Sequence, residues 1–186
     1  MKELSLNVLD IAMNSVKAGA QNIGITIDET ETELVFSVSD DGCGMTQDFL
    51  SRITDPFCTT RNTRKVGMGI PFLKLMAEQT GGYIKIDSRA EAEYPDSHGT
   101  VTEAHFNKKH IDCLPLGDIV STVFTLIQGS PDIDFEFSHK IHGKGEILLS
   151  TKSLREVLGD VRLDCPEVIL WIKEYLDEQY TEVFKK

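Results

Sequence analysis

Apolar residues recur with two different periods along this chain, and the switches between them mark its elements. Over residues 3–18, Val8, Leu9, Ala12, Met13 and Val16 return every three or four positions and predict one broad apolar arc of a helix. Asn7, Asp10, Asn14 and Lys17 follow at i, i+3, i+7 and i+10, which places them on the opposite, polar face. Gly19 is a natural helix stop. The stretches "NIGITID" and "ELVFSVS" then alternate with a period of two around "ETET", which predicts a β-hairpin. "DDGCGM" turns the chain out of the second strand into a short helix from about Thr46 to Ile53. "TDPFCTTRNTRKVGMG" has little periodicity and reads as a long loop. A helix over Pro71–Gln79 follows, with proline tolerated in its first turn and Gly81-Gly82 at its end. "YIKIDS" and "GTVTEAHF" read as two further strands around the irregular "RAEAEYPDSH".

Beyond residue 109 the pattern predicts a helix in "LGDIVSTVFTLIQG", a strand in "DIDFEFSHK" and its hairpin partner in "GKGEILLST". Helices follow in "SLREVLG" and "PEVILWIKEYLDEQY", the latter with a stripe of Val168, Ile169, Ile172 and Leu176. No flexible linker separates the two parts. The expected organisation is therefore a first domain at 1–109 and an α/β extension at 110–186 packed on it.

Composition narrows the functional classes. The 186 residues are 40% hydrophobic and 26% charged, as in ordinary globular proteins. No apolar run approaches the ~20 residues of a bilayer span. "MKELSLNVLDIAMNS" lacks the apolar core and cleavage site of a secretory leader. A cytoplasmic protein is expected. The net charge is −11, spread evenly: residues 1–108 carry 10 basic and 16 acidic side chains (−6), residues 109–186 carry 9 and 14 (−5). Such a surface repels nucleic acid and anionic membranes, so neither is an expected partner. The four cysteines form no C-x-x-C pair, and His139 and His142 flank a predicted turn without a third metal ligand.

Three stretches could carry chemistry. Asp10 and Asn14, four apart on the first helix, present two oxygens to one point. A hard cation such as Mg²⁺ accepts such donors, although a plain solvated face has the same spacing. In "SVSDDGCGM" a strand ends in carboxylates and turns through Gly42 and Gly44, where a planar ligand could approach the backbone. A carboxylate there could accept from the exocyclic amine of adenine; a simple loop is the alternative. In "VGMGI" the N–H groups of Gly67, Met68 and Gly69 lead into a helix N-terminus, an anion-binding geometry. Arg61, Arg64 and Lys65 stand just before it. No Gly-Lys-Ser/Thr follows, so this is not a P-loop.

In order along the chain, "DIAMNSVKAGA", "DDGCGM", "DPFCTTR", "VGMGI" and "HGT" closely resemble the motif series of the GHKL ATP-binding superfamily of gyrases, Hsp-type chaperones, sensor histidine kinases and mismatch-repair ATPases. The resemblance covers about residues 1–108. It implies an α/β (α+β) two-layer sandwich, the Bergerat fold, with a mixed β-sheet, helices on one face and ATP held between a helix and a lid. By resemblance, Asn14 is the Mg²⁺ ligand, Asp40 the adenine-binding carboxylate with Gly42, Gly44 and Met45 in its turn, and Thr100 its supporting hydroxyl. Lys17 is similar to the phosphate-contacting lysine of sensor kinases. Phe57, Thr59, Thr60, Arg61, Lys65, Gly67, Met68 and Gly69 correspond to the lid and its phosphate-binding end.

Two departures qualify the resemblance. Hydrolytic members carry Glu as general base where this chain has Asp10, one methylene shorter, so its hydrolysis is expected to be slow or absent. No helix with a phosphoacceptor His precedes the Asn-bearing helix, so a kinase reading expects the acceptor on another protein. The tail resembles that of small bacterial, clostridial-type stand-alone ATP-binding proteins. The expected function is ATP–Mg²⁺ binding with phosphoryl transfer to a partner protein or slow hydrolysis. The alternative is a catalytically weak, nucleotide-controlled module, anti-sigma-like or an assembly partner.

Overall fold

The helix expected over residues 3–18 forms as α1 (Ser5–Lys17), with no side-chain cap at its start. Its first N–H groups are met by chain from far downstream: Leu4 donates to the Pro115 carbonyl at 3.0 Å and Ser5 to that of Leu116 at 2.8 Å. A helix leaves such donors orphaned unless something else accepts from them. The computed structural model describes residues 2–54 and 69–185.

The remaining elements, in chain order, are β1 (Asn22–Glu29), β2 (Glu33–Asp40), α2 (Gln47–Leu50), α3 (Gly69–Gln79), β3 (Tyr83–Arg89) and β4 (Gly99–Asn107). Then come α4 (Ile119–Gly129), β5 (Asp134–Ile141), β6 (Gly145–Ser150), α5 (Thr151–Leu158) and α6 (Pro166–Lys185). Helix α3 starts two residues before the expected Pro71, and α6 runs on past Tyr180. Asp118 caps α4 by accepting from the Ser121 N–H and Oγ, a bond that pulls its carboxyl below the usual range.

The strands form one mixed sheet in the order β3-β4-β2-β1-β5-β6. The β1–β5 ladder is parallel and the other four are antiparallel. Residues 110–186 thus enter the sheet itself. Alternation sends Ile23, Ile25, Ile27, Phe36, Val38, Phe106, Phe135, Phe137, Ile147 and Leu149 into the core. Against that face pack Val8, Ile11, Leu73, Val123, Ile127, Ile172 and Leu176 from α1, α3, α4 and α6. The other face presents Thr26, Asp28, Lys85, Asp87, Glu136 and Lys140 to solvent. These are the two layers expected, with helices on one face of a mixed sheet. At the β6 edge, the Gln179 side chain accepts from the Leu148 N–H at 3.1 Å and donates to its carbonyl at 2.9 Å. The amide occupies the place a neighbouring strand would take.

Where β1, β4, β5 and α6 meet, a polar cluster ties the later residues to the earlier ones. His139 lies in β5, 1% exposed, and β5 carries the chain on to Ile141 before it turns. A carboxylate can only accept, so His139 Nε2–H donates to Glu29 Oε2 at 3.1 Å. Its Nδ1 pairs with the Tyr180 hydroxyl at 2.7 Å, and Lys108 Nζ reaches Glu29 Oε1 at 2.6 Å. The His139 hydrogen bond, helped by Lys108 and opposed by burial, holds the Glu29 carboxyl down at about 2. Burial pushes the Tyr180 phenol upward.

A depressed carboxyl stabilises the fold above its unfolded value and loses that contribution as pH falls through its folded value. Glu29 should therefore contribute fully above pH 4.5 and lose its contribution on acidification toward pH 2. Glu29→Gln is expected to cost about 2–3 kcal/mol at neutral pH. It should also flatten the dependence of urea-unfolding midpoints on pH across that acid window. A variant with the wild-type slope would remove Glu29 as its source.

Candidate functional site

Three adjacent strands finish their core-facing alternation in a polar side chain at the same end of the sheet. On β2 the phase Leu34, Phe36, Val38 ends in Asp40; on β4 the phase Phe106, Ala104, Thr102 ends in Thr100; on β3 Ile84 and Ile86 lead to Ser88. The register sets Asp40 opposite Thr100 and Thr100 opposite Ser88. Polar groups in core phase require partners, and these have them. Ser15 Oγ, on α1 and 3% exposed, donates to Asp40 Oδ2 at 2.6 Å, and the Gly42 N–H donates to Oδ1 at 3.0 Å. The Asp40 carboxylate is fixed from both sides while each oxygen keeps a second lone pair.

Ser88 Oγ lies 2.9 Å from Thr100 Oγ1, 3.1 Å from the Gly99 carbonyl, and accepts from the Met45 N–H at 2.8 Å. One hydroxyl proton cannot serve both Gly99 and Thr100. Which one Ser88 serves decides whether Thr100 has its own proton to offer elsewhere. His98 Nδ1–H donates to the Gly42 carbonyl at 2.7 Å, stapling the turn to the start of β4. Gly44 has φ +62°, and a Cβ there would overlap the Arg89 carbonyl oxygen.

The neighbouring acid has a different duty. Asp41 accepts from the N–H groups of Gln21 and Asn22, at 2.8 and 2.9 Å, and from Asn22 Nδ2 at 2.7 Å. Burial raises its carboxyl, but these hydrogen bonds outweigh that effect and hold it below the usual value. Asp41 thus joins the end of β2 to the start of β1, and Asp40 alone faces the helix layer.

Along α1, Asp10, Asn14 and Lys17 are exposed on successive turns. Asn7 departs from the expected shared face: it is 1% exposed and its Nδ2 lies 3.7 Å from Met76 Sδ. The spacing was right, but α3 covers that end of the stripe. At the other end of α3, a Cβ added to Gly69 would stand 2.5 Å from Asp10 Oδ2. The helix start and the carboxylate are thus in direct apposition, and a side chain at Gly69 would have to displace the exposed Asp10 carboxylate.

The structure therefore brings together Asp40, Gly42, Gly44, Met45 and Thr100 at one end of the site, and Asp10 with Gly69 at the other. Asn14 and Lys17 lie on α1, whose Ser15 bonds to Asp40. Phe57, Thr59, Thr60, Arg61, Lys65, Gly67 and Met68 lie outside the described residues. Ser15, Ser88 and His98 were missed from sequence. The available signal was the phase: Ser15 interrupts the apolar arc of α1 and Ser88 that of β3. The side chains present suit Mg²⁺, which takes few protein oxygens and completes its shell with phosphate and water.

A family described as "Histidine kinase-, DNA gyrase B-, and HSP90-like ATPase" matches residues 1–110. The chain belongs to this family. The match supports a GHKL-type ATP-binding domain in this chain. The sensor protein SrrB of Staphylococcus aureus is 31% identical over 93 residues, covering 47% of this chain and 16% of that protein. The chain thus spans only a small part of that relative's length. Among solved structures, the N-terminal domain of a DNA repair protein superposes with a TM-score of 0.58 at 15% identity, covering 86% of this chain and 58% of the other. The Aquifex aeolicus MutL ATPase domain complexed with ADP gives 0.54 at 14% identity, covering 100% of this chain and 70% of the other. At such identities the likeness is one of fold, and it extends to the strands beyond residue 110. Among the described residues no helix is long and apolar enough to cross a membrane.

Proposed function

We propose that this protein binds ATP with Mg²⁺ along α1 and transfers the γ-phosphoryl group to a partner protein or slowly to water. The observation that carries the reading is the position of Asp40. Its carboxylate is oriented by Ser15 of α1 and by Gly42 and stands in register with Thr100, and the same helix carries the exposed stripe Asp10, Asn14 and Lys17. Asp40 would accept from the exocyclic amine of adenine. Asn14 would hold Mg²⁺, and Lys17 would neutralise phosphate charge. The bound cation would supply charge neutralisation at the phosphates, where most of the catalysis in phosphoryl transfer arises. Asp10, beside the N-terminus of α3 at Gly69, would accept the proton of the attacking nucleophile.

Asp10→Asn tests this directly. With ATP labelled on its γ-phosphate, released phosphate or label on a partner should fall by about a hundredfold or more, while ATP affinity stays within about threefold. Turnover at the wild-type rate would remove Asp10 as the base. A second reading, a nucleotide-controlled binding module, is favoured by the shorter Asp at position 10. It expects tight ATP binding with no labelled product from the wild-type protein.

A further inference from the structure

Helix α6 closes the helix layer with its inner stripe and leaves another stripe uncovered. Val168, Ile169, Ile172, Leu176 and Val183 are buried. Trp171 and Tyr175, one turn apart, stack with ring centroids 5.0 Å apart and an interplanar angle of 13°. They remain 47% and 36% exposed. Gln179, a turn further on, is the residue that reaches the outer edge of β6. This aromatic pair therefore lies on the outer flank of the molecule, away from the nucleotide-binding end of α1. Phe184, also exposed, already has Lys144 over its ring at 4.6 Å.

The charged residues that share the pair's side of α6 have one sign. Glu167, Glu174, Glu178 and Glu182 stand three, four or seven positions from Trp171 or Tyr175, so they share the same side of the helix, and all four are exposed. Two stacked rings flanked along the helix by carboxylates form a surface for a cation with an apolar stem. Lysine and arginine lay their methylenes on an aromatic face and place their charge among acids. A second copy of this chain would oppose four carboxylates to the same four, which an isologous contact disfavours. A phosphate-rich surface would be repelled.

We propose that the outer face of α6 is a docking site for a basic, Lys/Arg-bearing segment of a partner protein, with Trp171 and Tyr175 as its anchor. The site is independent of the nucleotide reading, and its test uses no ATP. Trp171 is the single tryptophan of the chain, so its emission reports on this face alone. A short amphipathic helical peptide of Lys, Arg and Leu should change that emission saturably, and a matched Glu-for-Lys/Arg peptide should not. The double variant E174Q/E178Q should raise the peptide's Kd roughly tenfold. E91Q/E93Q, which removes the same charge elsewhere, should leave it within about twofold. Absence of a saturable change, equal effects of the two double variants, or an equal response to the acidic peptide would overturn the assignment. So would a change in emission with protein concentration alone, which would make a second copy the occupant.

Discussion

Asp40→Asn is expected to leave the protein folded and to weaken ATP binding by on the order of a hundredfold, a loss of about 3 kcal/mol. The fold should tolerate the change because the two donors on this carboxylate differ. The Gly42 N–H cannot reverse its role, so the amide oxygen would turn toward it. The amide nitrogen would then face Ser15, whose hydroxyl can accept as readily as it donates. That arrangement satisfies the neighbours and sacrifices the ligand. The carboxylate's charge and one of its two acceptor oxygens would be lost, and where the adenine amine meets the Ser15-bonded side, two donors would stand face to face in a half-buried site. Calorimetric titration with ATP gives the affinity, and a thermal melt in its absence gives the stability. An unchanged Kd would remove Asp40 from the adenine site. A lowered Tm with unchanged Kd would make it a structural residue only.

A large loss of stability is expected from Gly99→Ala. Gly99 opens β4 with φ +131°, and a Cβ there would overlap the Asp40 carbonyl oxygen. That obstacle is the main chain of β2, which cannot rotate away as a side chain can. The expected cost is about 3–5 kcal/mol, from backbone strain and overpacking together. For a chain of this size that corresponds to a fall in Tm of roughly 10 °C. Gly19→Ala supplies the control: its φ is +78°, yet nothing lies within 4 Å of the added carbon. It should cost about 1–2 kcal/mol, from the left-handed conformation alone. Equal Tm shifts for the two variants would show that the β2 carbonyl gives way and that the tight approach is not rigid.

Much of this architecture was legible because alternation and helical period report which face of an element is buried. Ile23, Ile25 and Ile27, or Val8 and Ala12, announce their direction without reference to any neighbour. The identity of the neighbour is a different kind of information. Nothing in "NIGITID" or "DIDFEFSHK" says that these strands lie side by side and parallel, since each only needs some partner. Asn7 shows the same limit on the site: it keeps the period of Asp10 and Asn14, but whether the stripe is open or covered depends on where α3 crosses. Ser15 and Ser88 are the converse case. Each breaks an apolar phase, and a polar residue in core phase signals a buried partner without naming it. Among the residues suggested by the family motifs, those in strands and turns could be placed by register. The residues from Phe57 to Met68 lie outside the described part of the chain.

The parallel ladder between β1 and β5 also bears on the order in which the chain can assemble. It joins Asn22 to Asp134, 112 positions apart (22 to 134), whereas β1 and β2 are joined across a short turn. During synthesis the β1–β2 hairpin and β4 can pair long before β5 has emerged. For that interval β1 presents a bare row of N–H and C=O groups beside Ile23, Ile25 and Ile27. Such an edge invites pairing with other nascent chains, and the loop that must close to cover it is long and slow to find its mate. Refolding yield should therefore fall with protein concentration more steeply than the stability of the finished sheet would suggest.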